Sequence, residues 1–334
     1  MIRSLKYIIS KNTVPYYNLA LEEYLLFSTE PDEMVFYLWQ NKNTVVIGRN
    51  QNPYRECKIS DIKKDGSHIV RRLSGGGAVY HDSGNLNFTF LVRHENNDVN
   101  KQLSVILKAL QLLGINAQAS GRNDITVDGK KFSGNAFYRS KDYCYHHGTL
   151  LIDVDIENLS KYLNVSASKL KSKGVSSVKS RVANLKDYKK DLTIETVKDA
   201  LLSAVSEVYD LAPQRILDEE LDKNKIRELE NKFSSNYFIY PNKFNYQIEM
   251  QERFPWGEIQ LLFNLKDNII ESVRAYSDAL DEQFILYIPE VMKDCLFSET
   301  SLIDAIDKIP LKNELSHQIA TDIKELIIKN LNES

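Results

Sequence analysis

Hydrophobic residues recur along this chain with two different periods. Between residues 99 and 113, Val99, Leu103, Ile106, Leu107, Leu110 and Leu113 fall at helical spacing and form one apolar stripe. Gly114 follows where a helix C-cap belongs. Between residues 86 and 92 the period is two, which puts Leu86, Phe88, Phe90 and Val92 on one face of a strand. Similar runs predict strands over residues 34–39, 44–48, 68–73 and 149–154. Pro15 opens a predicted helix that runs to residue 27, and Ile194, Val197, Leu201 and Val208 mark another. Asp128-Gly129, between residues 125–127 and 131–133, is a two-residue hairpin signal.

The texture changes after residue 231. Residues 231–245 are polar and aromatic, contain Pro241, and read as a connecting segment. Beyond them, residues 258–265 and 269–276 form a hairpin pattern closed by Lys266-Asp267-Asn268, and Leu315, Ile319, Ile323 and Leu326 mark a helix. The expected fold class is α+β, with a large domain over residues 1–245 and a small α+β domain over residues 246–334. No repeat of 20–50 residues suggests a solenoid.

Composition narrows the function. The 334 residues are 43% hydrophobic and 27% charged, enough to bury a sizeable core. The net charge of -3, from 43 basic and 46 acidic side chains, is unlike a phosphate-backbone binder, so no nucleic-acid partner is expected. Cys57, Cys144 and Cys295 are odd in number, far apart, and suit neither a disulfide framework nor a zinc knuckle. The start of the chain lacks a signal-peptide apolar core, and no run approaches the ~18 apolar residues of a membrane span. A cytoplasmic location without a membrane partner is the expectation.

Four clusters carry candidate chemistry. The first is Arg71-Arg72-Leu73-Ser74-Gly75-Gly76-Gly77-Ala78-Val79-Tyr80-His81-Asp82. Three glycines allow unusual backbone angles and let an anion reach bare N–H groups, while arginine forks suit carboxylate and phosphate. The spacing is neither a P-loop nor a dinucleotide fingerprint, and a plain hairpin turn with two surface arginines is the alternative. The second runs from Gly121-Arg122-Asn123-Asp124 through Asp128-Gly129-Lys130-Lys131-Phe132-Ser133-Gly134. Strand alternation sends Lys130 and Lys131 to opposite faces, so one points inward where its charge can meet anionic oxygens; two solvated hairpin lysines are the alternative. The third is His146-His147-Gly148-Thr149, whose adjacent histidines face opposite sides and cannot ligate one metal together. The fourth, residues 173–185, is small, basic and loop-like.

Together these clusters resemble the lipoate–protein ligase A family over nearly the whole chain. The resemblance begins at Asn18-Leu19-Ala20-x-Glu22-Glu23 and Val45-Val46-Ile47-Gly48-Arg49-Asn50-Gln51-Asn52. It continues through the Arg71–Asp82 segment with Gly84-Asn85, then residues 121–124, Lys131-x-Ser133-Gly134 and His147-Gly148-Thr149-Leu150. Residues 173–185 and Arg253-Phe254-x-Trp256-Gly257 complete it. It implies a biotinyl/lipoyl-ligase catalytic domain, related to class II tRNA-synthetase domains, with a small C-terminal domain. It implies that lipoate and ATP, with Mg²⁺, give lipoyl-AMP, and that the lipoyl group passes to a lysine of a lipoyl-domain acceptor. Such acceptors are 2-oxoacid dehydrogenase E2 subunits and the glycine-cleavage H protein.

Carried over by position, the resemblance assigns Lys131 the catalytic role, touching both the lipoyl carbonyl and the α-phosphate. ATP would meet Arg72, Gly77, Ala78, Val79, Tyr80, Asn123, Asp124, Val178 and Arg181 besides Lys131. Lipoate would meet Arg72, Ser74, Gly75, Gly76, His81, Gly134 and His147, and Asp124 would meet magnesium. An ATP-independent transferase of the same fold is the rival; some use a catalytic cysteine, and none of the three cysteines here sits in such a motif.

Overall fold

The computed structural model describes residues 1–120, 123–164 and 182–332, the side chains of residues 159 and 160 excepted. The chain packs as two units. One comprises Met1–Val46, Cys57–Arg71 and Val79–Ile239; the other comprises Ile47–Glu56, Arg72–Ala78 and Tyr240–Ser334.

The first unit is built on an eight-stranded sheet. Its strands are β1 (Ser4–Ile9), β2 (Glu33–Trp39), β6 (Asn85–Arg93), β7 (Gln118–Ser120), β8 (Asp124–Val127), β9 (Lys130–Ser140), β10 (Tyr143–Leu151) and β11 (Gln214–Arg215). They lie in the order β11-β1-β2-β6-β10-β9-β8-β7. A small second sheet joins β3 (Thr44–Ile47), β4 (His68–Arg71) and β5 (Val79–His81). Helices α1 (Pro15–Ser28), α2 (Val99–Leu112), α3 (Ile194–Tyr209) and α4 (Lys223–Ser234) complete the main frame.

The period-two pattern works as predicted on β6. Leu86, Phe88, Phe90 and Val92 are fully buried in one core with Val105 and Ile106 of α2 and Leu201 and Val205 of α3. The α2 helix ends as its glycine requires: Gly114 takes φ 75° and its N–H donates to Gln111 O. Asp128 and Gly129 close the β8–β9 hairpin with φ 49° and 74°, the left-handed pair of a type I′ turn.

Some elements differ from the sequence expectation. The strand expected over residues 149–154 is the tail of β10, which starts at Tyr143 after a turn at Lys141-Asp142 and stops at Leu151. There the N–H groups of Ile152 and Asp153 both turn to Gly84 O. The segment expected to connect at residue 231 is helical through Ser234, held by an Asp222 N-cap. β1 escaped notice because its parallel pairing with β2 has no local turn signature.

In the second unit, β12 (Ile248–Phe254), β13 (Gly257–Lys266) and β14 (Ile269–Ser277) form an antiparallel meander. Asp267 and Asn268, at φ 50° and 61°, close the predicted β13–β14 hairpin. Met250, Ile259, Leu261 and Phe263 pack there against α5 (Glu282–Met292), α6 (Glu299–Asp307) and α7 (Glu314–Asn332). Among the described residues, no helix is long and apolar enough to cross a membrane.

Candidate functional site

On β6, the residues that alternate with core Leu86, Phe88 and Phe90 are polar: Asn85, Asn87 and Thr89 point away from α2 and α3 and are all buried. Buried polar groups must find partners, and here they form ladders. Asn85 Nδ2 donates to Asn87 Oδ1 at 2.9 Å, and Asn87 Nδ2 to Trp39 O at 3.2 Å. Thr89 Oγ1 donates to Glu22 Oε1 of α1 at 2.7 Å and accepts from Trp39 Nε1 at 3.0 Å. The same carboxylate oxygen lies 2.9 Å from His147 Nδ1. Burial of Glu22 without these donors would be costly, so the carboxylate holds His147 with its proton on Nδ1. His81 is anchored beside this network: Asn41 Nδ2 meets its Nδ1 at 3.3 Å, and its ring stands edge-on to Trp39. Asn18 Nδ2 in turn donates to Asn41 Oδ1 at 3.1 Å.

Adjacent histidines part as alternation requires. His147 faces Glu22, whereas His146 is fully buried against Phe88, Phe90 and Phe137. Burial pushes the His146 pKa down to about 3, so the ring is neutral.

A β-bulge separates the two lysines. Along β8–β9, Val127 pairs with Lys130 and Thr126 with Lys131, but Ile125 pairs with Ser133, so Phe132 is the extra residue. This breaks strict alternation and carries the Lys131 amine over Gly134, where a Cβ would lie 3.1 Å from Nζ. Lys130 is exposed. Lys131 is not deeply inward either: its side chain is 40% exposed and its Nζ meets Asp124 Oδ1 at 2.6 Å. Asn123 and Asn135 clasp each other beside this pair, each side-chain amide donating to the other's carbonyl at 3.0 Å.

The glycine segment is tighter than a simple turn. In the second unit, Arg72 Nε donates to Ser74 Oγ at 3.0 Å, and Nη2 donates to Gly75 O at 2.6 Å and Gly77 O at 2.8 Å. Gly76 takes φ 86°, and its N–H donates to Ala279 O at 3.0 Å. A Cβ at Gly75 would lie 2.3 Å from Ala279 O, and one at Gly48 would lie 2.1 Å from Gly76 O. These glycines therefore serve close backbone approach. Neither arginine is a loose surface cation: both are 6% exposed, and in the first unit Arg71 donates to Phe238 O and Ile239 O.

The predicted site residues thus fall in two groups. Tyr80, His81, Asn123, Asp124, Lys131, Gly134 and His147 belong to the first unit, with Val79; Arg72, Ser74, Gly75, Gly76, Gly77 and Ala78 belong to the second. The Tyr80 ring meets that of Tyr162 at a tilt, and burial pushes its hydroxyl pKa up to about 12. Val178 and Arg181 lie outside the described residues. Glu22, Trp39, Thr89 and Asn135 received no role from the sequence; the polar phase of the β6 alternation marks the face of Glu22, Trp39 and Thr89, whereas Asn135 meets His146 on the other face. Asn85 Oδ1 and Ser133 Oγ are buried with no protein partner in the described residues. An open groove of about 620 Å³, bordered by Leu107, Lys108, Ile115 and Val208, carries none of this chemistry.

Among the described residues no three His, Cys, Asp or Glu side chains gather to hold a metal. A lone carboxylate such as Asp124 still suits magnesium, which takes one or two protein carboxylates and completes its shell with phosphates and water.

Comparison with known proteins is consistent along the whole chain. Residues 14–206 match the lipoyl protein ligase A/B catalytic domain, and residues 243–327 match the bacterial lipoate protein ligase C-terminus. A lipoate-protein ligase A of Psychrobacter cryohalolentis is 39% identical, over 97% of this chain and 98% of its own. One from Bdellovibrio bacteriovorus is 33% identical over 99% of both. Among solved structures, P. falciparum LipL1 in complex with lipoate superposes with a TM-score of 0.86 at 28% identity, covering 97% of this chain and 99% of that one. A lipoate-protein ligase A bound with ATP gives 0.61 at 27% identity, covering 72% and 99%.

Proposed function

The chain belongs to the lipoate–protein ligase A family, and on that premise we propose that lipoate and ATP react at the Lys131–Asp124 locus to give lipoyl-AMP and pyrophosphate. Its fold is the biotinyl/lipoyl-ligase α+β fold, and its activity is ATP-dependent lipoate–protein ligation. A carboxylate oxygen of lipoate attacks the α-phosphorus, and the bond to the bridging oxygen of pyrophosphate breaks. The amine of an acceptor lysine then attacks the lipoyl carbonyl. AMP leaves with the carbon–oxygen electron pair, and the amine loses its proton.

The observation that carries this reading is the Lys131 ammonium, half exposed and steered over a glycine by a bulge. In that position it can leave Asp124 for the carboxylate and the α-phosphate, where negative charge gathers in the transition state. Asp124 would hold a magnesium ion with the phosphates, Asn123 lying near them; when bound, that ion would supply positive charge to the departing pyrophosphate. Gly75, Gly76 and Gly77, with Ala78, Val79 and Tyr80 following, are proposed to line the nucleotide and acyl groups. Arg72 shapes that segment through its carbonyls. His147 and His81, with Ser74 and Gly134, are proposed to border the acyl slot, and the acceptor to be a lipoyl domain. A bi-partite ligase and its E2 lipoyl domain from Thermoplasma acidophilum, 26% identical over 74% of this chain and 100% of that one, support that choice (TM-score 0.63).

The test is lipoate-dependent exchange of labelled pyrophosphate into ATP. Exchange with lipoate and not with biotin is the expected result. Acyl transfer from a carrier without exchange would favour the ATP-independent transferase.

A further inference from the structure

His146 has no place in the chemistry above, yet it is one of the most constrained side chains in the first unit. Its Nε2 lies 2.9 Å from Asn135 Oδ1 and its Nδ1 lies 3.1 Å from Gln102 Oε1. Gln102 is itself fully buried on α2. A neutral imidazole carries one N–H and cannot donate to two oxygens.

The Asn135 oxygen has the firmer claim. Its amide nitrogen is committed to Asn123 O at 3.0 Å, so the group cannot turn over without setting two oxygens against each other. Asn135 also donates its own N–H to Asn123 O at 2.8 Å. Gln102 is less constrained: its amide nitrogen reaches only the exposed Asn97, at 3.3 Å. Turned over, it offers an N–H to His146 Nδ1. Gly148 completes the arrangement, because a Cβ there would lie 2.6 Å from Asn135 Oδ1 and 2.5 Å from Phe88.

We propose that His146, as the neutral Nε2–H tautomer, is a positioning residue for adenylation, acting through Asn135 on Asn123 and so on the Asp124–Lys131 pair. The path is short: His146 to Asn135, Asn135 to Asn123 by three hydrogen bonds, and Asn123 to its chain neighbour Asp124. The inference rests on the reading that Lys131 and Asp124 serve the adenylation step. It accounts for both members of the His-His pair, His147 being held on the opposite face by Glu22.

Two variants test it. His146→Phe keeps the aromatic packing and removes both nitrogens, whereas His146→Gln keeps an N–H able to reach Asn135. Pyrophosphate exchange by purified folded protein should show kcat falling by roughly tenfold to a hundredfold in His146→Phe, as for a small displacement of reacting groups. KM for lipoate should change little, and His146→Gln should recover much of the loss. Nitrogen-15 NMR of labelled histidine in the wild type should show one ring that stays neutral and protonated on Nε2 from pH 8 to pH 5. Equal kcat in both variants and the wild type, with only unfolding temperature lowered, would overturn the proposal, as would protonation on Nδ1 of the His146 ring, assigned as the signal lost in His146→Gln. If the wild type itself shows no lipoate-dependent exchange, the functional reading has failed instead. The tautomer measurement still judges the geometry.

Discussion

Arg72 and Lys131 are both cations in the candidate site segments, yet their surroundings differ. Arg72 is almost fully buried and spends its fork on Ser74, Gly75 and Gly77 within its own turn. Lys131 is half exposed, on a flexible stem, with one carboxylate partner. A planar five-donor guanidinium can tie several carbonyls at once, whereas an ammonium is a point charge that can change partners. The comparison teaches that a guanidinium spent on carbonyls fixes its own turn, whereas an ammonium with an exposed stem stays able to exchange its partner.

Four outcomes would break or sharpen that contrast. The largest belongs to Lys131→Ala, which should lose about 3 kcal/mol of transition-state stabilisation, roughly a hundredfold in exchange rate, with an unchanged unfolding curve. Arg72→Lys should behave the other way. It keeps the charge but loses the fork, leaving buried carbonyls unpaired, and thermal unfolding should report a loss of about 1–3 kcal/mol. An unfolding midpoint equal to wild type would make Arg72 a substrate-facing cation after all.

The third outcome concerns pH. His146 has its pKa pushed down to about 3 in the folded protein by burial, against about 6.5 when unfolded. Below pH ~6.5 the unfolded chain therefore binds a proton that the folded chain refuses. Stability from this group is complete above pH ~6.5 and should fall by up to about 1.4 kcal/mol per pH unit as pH drops toward 3. Denaturant titrations at several pH values should show a shallower slope in His146→Gln. The smallest effect belongs to Lys130→Ala. It is exposed on the same hairpin, so both stability and rate should stay within about 0.5 kcal/mol of wild type.

Much of this could be read from the chain because its cues are local. Gly114 ends α2, Asp128-Gly129 turns the β8–β9 hairpin, and the phenylalanines of β6 line one face. What escaped depends on partners distant in sequence. Glu22 meets His147 only when α1 lies over the sheet, and β1 is recognisable as a strand only once β2 pairs with it. The bulge at Phe132 is an error of one residue in pairing, invisible to periodicity, yet it decides where the Lys131 amine goes. That Arg71 and Arg72 are buried against main-chain carbonyls was not legible, because those acceptors carry no side-chain signature.

The most direct measurement is intact-mass spectrometry of an apo lipoyl domain incubated with this protein, lipoate, ATP and magnesium. One lipoyl group on the acceptor lysine, absent when ATP is omitted and strongly reduced with Lys131→Ala, is the predicted result. An unmodified acceptor with the wild-type protein, or full modification by the Lys131→Ala variant, would contradict the account.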